Sequence, residues 1–204
     1  MKSKGFTLVE VLGIIVVLGI IAVIVTPVVQ GTIEKNREKM FNVMMDQLID
    51  SAKDWAAKNA SQLPNDNNDY LDVSLGNLKI SGVLKINVQN PKSNNTFSNE
   101  SFVRITRKNN NFIYEVYTYD LVTADEVEDG APTITLKGDQ IIYLEKDEEY
   151  VEEGTLEDNV SIQILKDGKE VSSVKTSTSN TYTIYYSLLE NDKLGINVRT
   201  VIIK

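Results

Sequence analysis

The sequence predicts an α+β protein in which a long N-terminal transmembrane helix continues into a small helix-plus-antiparallel-sheet headpiece, followed by an all-β sandwich. An apolar run fills the first thirty residues, an amphipathic helical pattern follows it to about Asn59, and short β-rich runs separated by turn formers occupy the C-terminal third. The expected parts are a leader (1–5), a transmembrane helix (6–30), a headpiece (31–119), an acidic linker (120–131) and the sandwich (132–204).

Composition narrows the possible functions before any motif is considered. The chain has no Cys and no His, which excludes thiolate zinc sites, Cys nucleophiles and imidazole bases. Its acidic residues lie in predicted linkers and turns, where paired carboxylates do not converge on a pocket. With 29 acidic against 21 basic residues, the net charge is −8, which disfavours nucleic acid as a partner. We therefore expect no enzyme activity and no cofactor.

The apolar run from Phe6 to Val29 is long enough to cross a bilayer. At about 1.5 Å per residue in a helix it spans roughly 36 Å. A cleaved secretory signal would be shorter and would end in a small-x-small site, which the run lacks as it passes through Pro27. An ordinary signal anchor remains an alternative. Because Lys2 and Lys4 precede the run, the N-terminus is predicted to be cytoplasmic and the remainder of the chain extracellular.

One carboxylate, Glu10, interrupts this apolar run. A charge at the centre of a membrane helix costs on the order of 2.5 to 3.5 kcal/mol or more, so a signal anchor gives no reason for its presence. A neighbouring chain's free α-amine would be a suitable partner for Glu10. Such an amine forms at Phe6 if the chain is cut after Gly5.

The stretch GFTLVE, with Gly5 before the cut, Phe6 after it and Glu10 fifth in the mature chain, resembles the prepilin cleavage and methylation signature. Pro27, twenty-second after the cut, is similar to the helix-kinking proline of many type IV pilins. The resemblance implies that a prepilin peptidase/methyltransferase cuts between Gly5 and Phe6 and methylates the Phe6 amine. It also implies that Glu10 pairs with a Phe6 amine as pilin-like subunits pack helix on helix.

The headpiece is predicted from a helical stripe and a hairpin. The stripe recurs at three- and four-residue intervals, with Met40, Met44, Leu48, Ala52 and Trp55. The hairpin joins 102–107 to 112–119, so that Val103, Ile105, Tyr114 and Val116 would cover the stripe. The acidic turns after Asn65 and Asp125 lack the ligand spacing of an EF-hand, so no metal is expected.

The C-terminal module begins after the acidic linker and Pro132. The predicted strand runs are 133–136, 140–144, 161–165, 169–174, 181–187 and 196–203, with a hairpin turn at Asp167-Gly168. The stretches APTITLKGD, EYVEEG, DNV, TYTIYYSLLENDKLG and VRTVIIK resemble the bacterial surface Ig-like repeat also found in some pesticidal crystal proteins. The turn at 190–193 departs from that pattern. We expect this module to fold alone.

These parts favour a structural and display function. The expected protein is a type IV pilin-like subunit of an envelope filament or a type II secretion-like pseudopilus, and its extra domain favours a minor subunit. The alternative is a non-polymerising membrane-anchored adhesin whose Ig-like domain binds a carbohydrate or protein ligand. In both cases the protein is a single-pass membrane protein with its C-terminus outside. Abundant Asn, Lys and Ile indicate an AT-rich Gram-positive source.

Overall fold

The computed structural model describes residues 8–123 and 126–204, and it confirms the predicted α+β class. A long helix is followed by a small helix with an antiparallel sheet and then by a larger mixed sheet. The helices are α1 (Leu8–Lys58) and α2 (Leu75–Ile80). The strands are β1 (Tyr70–Ser74), β2 (Phe102–Lys108), β3 (Asn111–Tyr117), β4 (Ile141–Leu144), β5 (Ser161–Lys166), β6 (Lys169–Val171), β7 (Asn180–Glu190) and β8 (Lys193–Ile203).

The second half of α1 forms the headpiece core together with the first sheet. Leu48, Ala52, Trp55 and Ala56 are buried, and Met44 packs against them. The predicted stripe is thereby confirmed from Met44 onward. It is wrong at Met40, whose side chain is 60% exposed, because the sheet does not reach that turn of the helix.

The headpiece sheet has the order β1-β2-β3 and is antiparallel throughout. The predicted hairpin face is confirmed, since Val103 pairs with Val116 and Ile105 with Tyr114. Val103 and Ile105 are fully buried in the core, and the half-buried Tyr114 and Val116 pack against it. A two-residue turn joins the strands at Asn109-Asn110, where both φ angles are positive, as the twist of a tight hairpin requires.

Two headpiece elements were not predicted. Strand β1 pairs with β2, and α2 follows it directly. The Ser74 hydroxyl accepts a hydrogen bond from the Asn77 backbone N–H (3.2 Å), which caps the start of α2. Leu75 and Leu78 on this short helix are fully buried.

The C-terminal sheet has the order β4-β8-β7-β5-β6, and only the β4–β8 pair is parallel. Five of the six predicted runs correspond to these strands. The turn at Asp167-Gly168 is confirmed by Lys166 pairing with Lys169 and by φ angles of 50° and 71°. The divergent turn at Asn191-Asp192 is also a two-residue hairpin with positive φ angles.

The predicted strand at 133–136 is wrong as a ladder strand. The segment contributes only an isolated bridge between Leu136 and Thr155 and packs on one face of the sheet. Its approach to β8 is close, because a Cβ built at Gly195 would lie 2.0 Å from the Pro132 carbonyl oxygen. The described strands of this region therefore form one sheet, covered on its inner face by segments that pair little, and the Ig-like assignment stays a prediction.

The opposite face of this sheet contacts the headpiece. Gln163, 1% exposed, donates a hydrogen bond to the Phe97 carbonyl (3.0 Å) and accepts one from the Asn99 N–H (2.6 Å). The Ser98 and Ser187 hydroxyls pair at 3.1 Å. Part of the predicted linker also belongs to this contact, because Leu121 is buried against Leu165 and Ile196 of the sheet. The contacts join headpiece and module closely, while the domain boundaries remain predictions.

Candidate membrane and assembly helix

The first half of α1 differs from an ordinary surface helix in having apolar side chains on every side. All residues from Leu8 to Gln30 are exposed. An 18-residue window of α1 has a mean hydropathy of 3.1 and no residue buried within the chain. By length and composition, α1 is the one described helix that could cross a membrane. The whole helix of 51 residues is about 76 Å long, well over a bilayer's hydrocarbon thickness.

Glu10 lies in the first described turn of this helix, beside a shallow groove. The groove is lined by Glu10, Gly13, Ile14, Val17 and Leu18. Gly13 is one turn further along the same face, and no heavy atom lies within 4 Å of a Cβ built there. The missing side chain leaves room for another helix to approach the carboxylate closely.

Pro27 lies within α1 rather than at its end. Proline has no N–H, so the Val23 carbonyl loses its usual helical donor. Neighbouring threonines donate to other carbonyls of the same region: the Thr26 hydroxyl to Ala22 (2.6 Å) and the Thr32 hydroxyl to Val28 (2.9 Å). Such internal bonds are what allow proline in a helix that lies in lipid.

The two halves of α1 meet between residues 31 and 41. From Thr32 charged residues appear, among them Glu34, Lys35 and Arg37, and they are exposed. The packed half begins at Phe41, which borders the headpiece core. The anchor is therefore continuous with the helix on which the headpiece is built.

The predicted site residues divide into two groups. Glu10 and Pro27 are both on the exposed half of α1, seventeen positions apart along the helix. Gly5 and Phe6, between which the cut is predicted, lie outside the described residues. Among the residues that are described, no three Asp, Glu, His or Cys side chains are grouped so that they could hold a metal.

Sequence reasoning missed a buried polar cluster in the module. Arg199 is fully buried on β8 and donates to Glu152 Oε1 (2.5 Å), the Asp139 carbonyl (2.9 Å) and the Lys137 carbonyl. The Tyr186 hydroxyl also donates to Glu152 (2.6 Å). Burial by itself would raise the pKa of Glu152, but bonds from Tyr150, Tyr186 and Gly154 and the nearby Arg199 charge lower it overall.

This cluster gives a structural role to several of the sequence stretches on which the Ig-like resemblance rests. Tyr150 and Glu152 belong to EYVEEG, Tyr186 to TYTIYYS and Arg199 to VRTVIIK. In the fold they fasten the 137–139 and 150–154 segments onto the sheet. Their bonds are internal, which makes the cluster a structural clamp rather than a ligand site.

A long, exposed apolar helix with one carboxylate, continuous with a folded region on its far half, indicates a membrane-anchored protein. A model of the family described as the prokaryotic N-terminal methylation motif matches residues 1–26. The N-terminal segment is thus a prepilin-type signal, which implies processing by prepilin peptidase and association with the membrane. Neither a curated protein nor a solved structure matches the chain.

Proposed function

We propose that this chain is a minor subunit of a type IV pilin-like filament or a type II secretion-like pseudopilus, and that it presents its C-terminal module outside the membrane. The methylation motif at residues 1–26, on a helix whose first half is exposed and apolar, is the observation that supports this most. The role is one of assembly and display, not catalysis.

In the proposed maturation, prepilin peptidase cuts between Gly5 and Phe6 and the new Phe6 amine is methylated. Glu10 then pairs with the Phe6 amine of a neighbouring subunit. The groove beside Gly13 supports this step because the missing side chain gives a second helix room to approach this face of α1. Burying an ion pair in lipid is tolerable only when both charges are present, so the pair would select correctly processed subunits.

A Glu10→Ala variant tests the assembly role. Membrane insertion should persist, since removing a charge makes insertion easier, and cleavage after Gly5 should continue. Incorporation into sheared filaments or the pseudopilus should fall at least about tenfold if the lost pair is worth 1.4 kcal/mol or more. Glu34→Ala is the matched control, because Glu34 is an exposed carboxylate on the same helix beyond the apolar half.

The outcomes separate the proposal from its alternative. Native-level incorporation of the Glu10→Ala subunit would refute the pairing role. If the processed wild-type chain stays in the membrane and never enters a filament or pseudopilus, the protein is instead a non-polymerising anchored adhesin with an Ig-like binding domain.

A further inference from the structure

A lysine, an asparagine and a glutamate meet in a cleft where α2, the loop before β2 and the β5–β6 hairpin come together. Lys79 Nζ lies 2.7 Å from Asn99 Oδ1 and 2.7 Å from Glu170 Oε2. The side chains of Lys79 and Glu170 are only 6% and 7% exposed. The headpiece supplies Lys79 and Asn99, while the module supplies Glu170.

The backbone around the two headpiece residues is fixed by hydrogen bonds. The Asn99 N–H donates to Gln163 (2.6 Å), and its carbonyl accepts from the Gly76 N–H (3.2 Å). Lys79 is on α2, whose start is capped by Ser74. With a C=O bond of about 1.23 Å, Lys79 Nζ can be no further than about 3.9 Å from Asn99 Cγ. An amine and an amide carbon are thus held close to reacting distance.

We propose that Lys79 and Asn99 form an intramolecular isopeptide bond, with Glu170 as the residue that carries the protons. The three side chains supply the required chemistry: a nucleophilic amine, an electrophilic amide carbon and a carboxylate in contact with the amine. No other reactant is needed.

The reaction begins with transfer of one proton from the Lys79 ammonium to Glu170. The lone pair of Nζ then forms a bond to Asn99 Cγ, and the carbonyl electrons move to Oδ1. Glu170 relays a proton from Nζ to the side-chain nitrogen of Asn99, and collapse of the intermediate breaks the Cγ–Nδ2 bond. The released ammonia takes the remaining proton from Glu170 and leaves as ammonium, so the carboxylate is restored and nothing is oxidised or reduced.

The environment favours the first step. Burial lowers the pKa of Lys79, although the neighbouring Glu170 charge opposes this shift. A buried ammonium-carboxylate pair is also costly to desolvate, whereas an amine and a carboxylic acid are neutral. The cleft is a cavity of about 420 Å³ whose lining includes Ile80, an 88% exposed residue, so the ammonium ion can leave to solvent.

Because the module supplies Glu170, the isopeptide bond can form only at a late stage of folding. Lys79 and Asn99 are 20 residues apart in one part of the chain, but Glu170 is 91 residues from Lys79. The bond should therefore form only after β5–β6 has docked on the headpiece. It would then lock α2 to the loop that carries the docking contacts of Gln163 and Ser187.

Peptide mass spectrometry of the full chain purified from membranes tests this directly. Trypsin should fail to cut after Lys79, and peptide 59–85 should be joined to peptide 93–104 with a loss of about 17 Da, the mass of ammonia. Neither peptide contains the N-terminus, so maturation there does not affect the readout. Lys79→Arg and Asn99→Ala should each abolish the joined species, while Lys85→Arg, at an exposed lysine nearby, should retain it.

A Glu170→Gln variant tests the proton carrier, since it keeps the shape but cannot accept the proton. The rate at which the joined peptide forms should drop at least about a hundredfold, the low end of what a positioned acid-base group contributes. Wild-type protein that yields the two peptides separately, with a normal cut after Lys79, overturns the proposal. The wild-type result decides whether the isopeptide bond exists, even if the Glu170→Gln variant does not fold. If a folded Glu170→Gln chain forms the joined peptide as fast as the wild type, Glu170 does not carry the protons.

Discussion

The anchor half of α1 (8–30) and the rest of the described chain (31–123 and 126–204, here called the folded region) satisfy their side chains in opposite ways. In the anchor half, apolar residues such as Leu18 are exposed on all sides. In the folded region, even the charged Arg199 is fully buried and bonded within the chain. The difference indicates that the anchor half is suited to an apolar environment such as lipid, whereas the folded region is packed by its own contacts. Substitutions in the two regions should therefore affect different measurements.

The largest stability effect is expected at the clamp residue of the module. Arg199→Met should destabilise the folded region by about 3 to 5 kcal/mol, because Glu152 and two carbonyls lose their buried partner. Denaturant unfolding of the detergent-solubilised chain, followed by near-UV circular dichroism, measures it. A change under about 1 kcal/mol would mean that water replaces the guanidinium, and that the module is less closed than described.

The pH dependence of the same cluster has a defined sign. The pKa of Glu152 is lower in the folded chain than in the unfolded one, so this carboxylate stabilises the fold above its unfolded pKa. That contribution is lost as the pH falls through the folded value. Glu152→Gln should therefore cost stability at neutral pH and reduce the acid sensitivity of the module, as monitored by unfolding at a series of pH values between neutral and acidic. Equal pH profiles for both chains would contradict the assignment.

Next in size is a pair of leucines on the same helix. Leu48→Ala should cost about 3 kcal/mol, within the range for a fully buried leucine, because it opens a cavity against the headpiece sheet. Leu18→Ala removes the same atoms from an exposed position and should leave the melting of the folded region unchanged. The two melts, recorded in the same detergent, compare the two halves of α1 directly. A Leu18→Ala chain destabilised as much as Leu48→Ala would show that the halves are not distinct.

The smallest effect is expected at the contact between headpiece and module. Glu100 accepts a hydrogen bond from the Ser161 hydroxyl, and burial raises the pKa of this carboxyl above its usual range. A raised pKa means that Glu100 stabilises the fold below its unfolded pKa and that this contribution is lost as the pH rises through the folded value. Glu100→Gln should thus stabilise the folded region at neutral pH, by less than about 1 kcal/mol. A lower melting temperature for the variant at neutral pH would contradict this.

The periodic parts of the fold could be predicted because local pattern determines them. Parts of β5, β7 and β8 alternate buried with half-buried residues, and the β5–β6 hairpin turns at the turn formers Asp167-Gly168. Strand β1 and helix α2 were missed because each is only five or six residues long, too short for a clear period. The 133–136 segment has strand composition, yet it packs across the sheet near Gly195 instead of pairing along an edge.

The candidate sites divide in the same way. Glu10 and Pro27 stand out in sequence because each breaks an apolar helix at a fixed distance from Gly5. Lys79, Asn99 and Glu170 could not be found in this manner, since nothing local marks them and their meeting depends on how the module docks on the headpiece. The same holds for Arg199 and Glu152, which are 47 residues apart.

Terminal sequencing of the membrane-extracted protein tests the central claim most directly. In cells with a functional prepilin peptidase, the mature chain should begin at an N-methylated Phe6, and Gly5→Val should block the cut by adding a side chain next to the cleaved bond. Retention of Met1 in the wild-type chain, or a first residue beyond Val29, would contradict the account of residues 8–30 as a processed anchor and assembly helix.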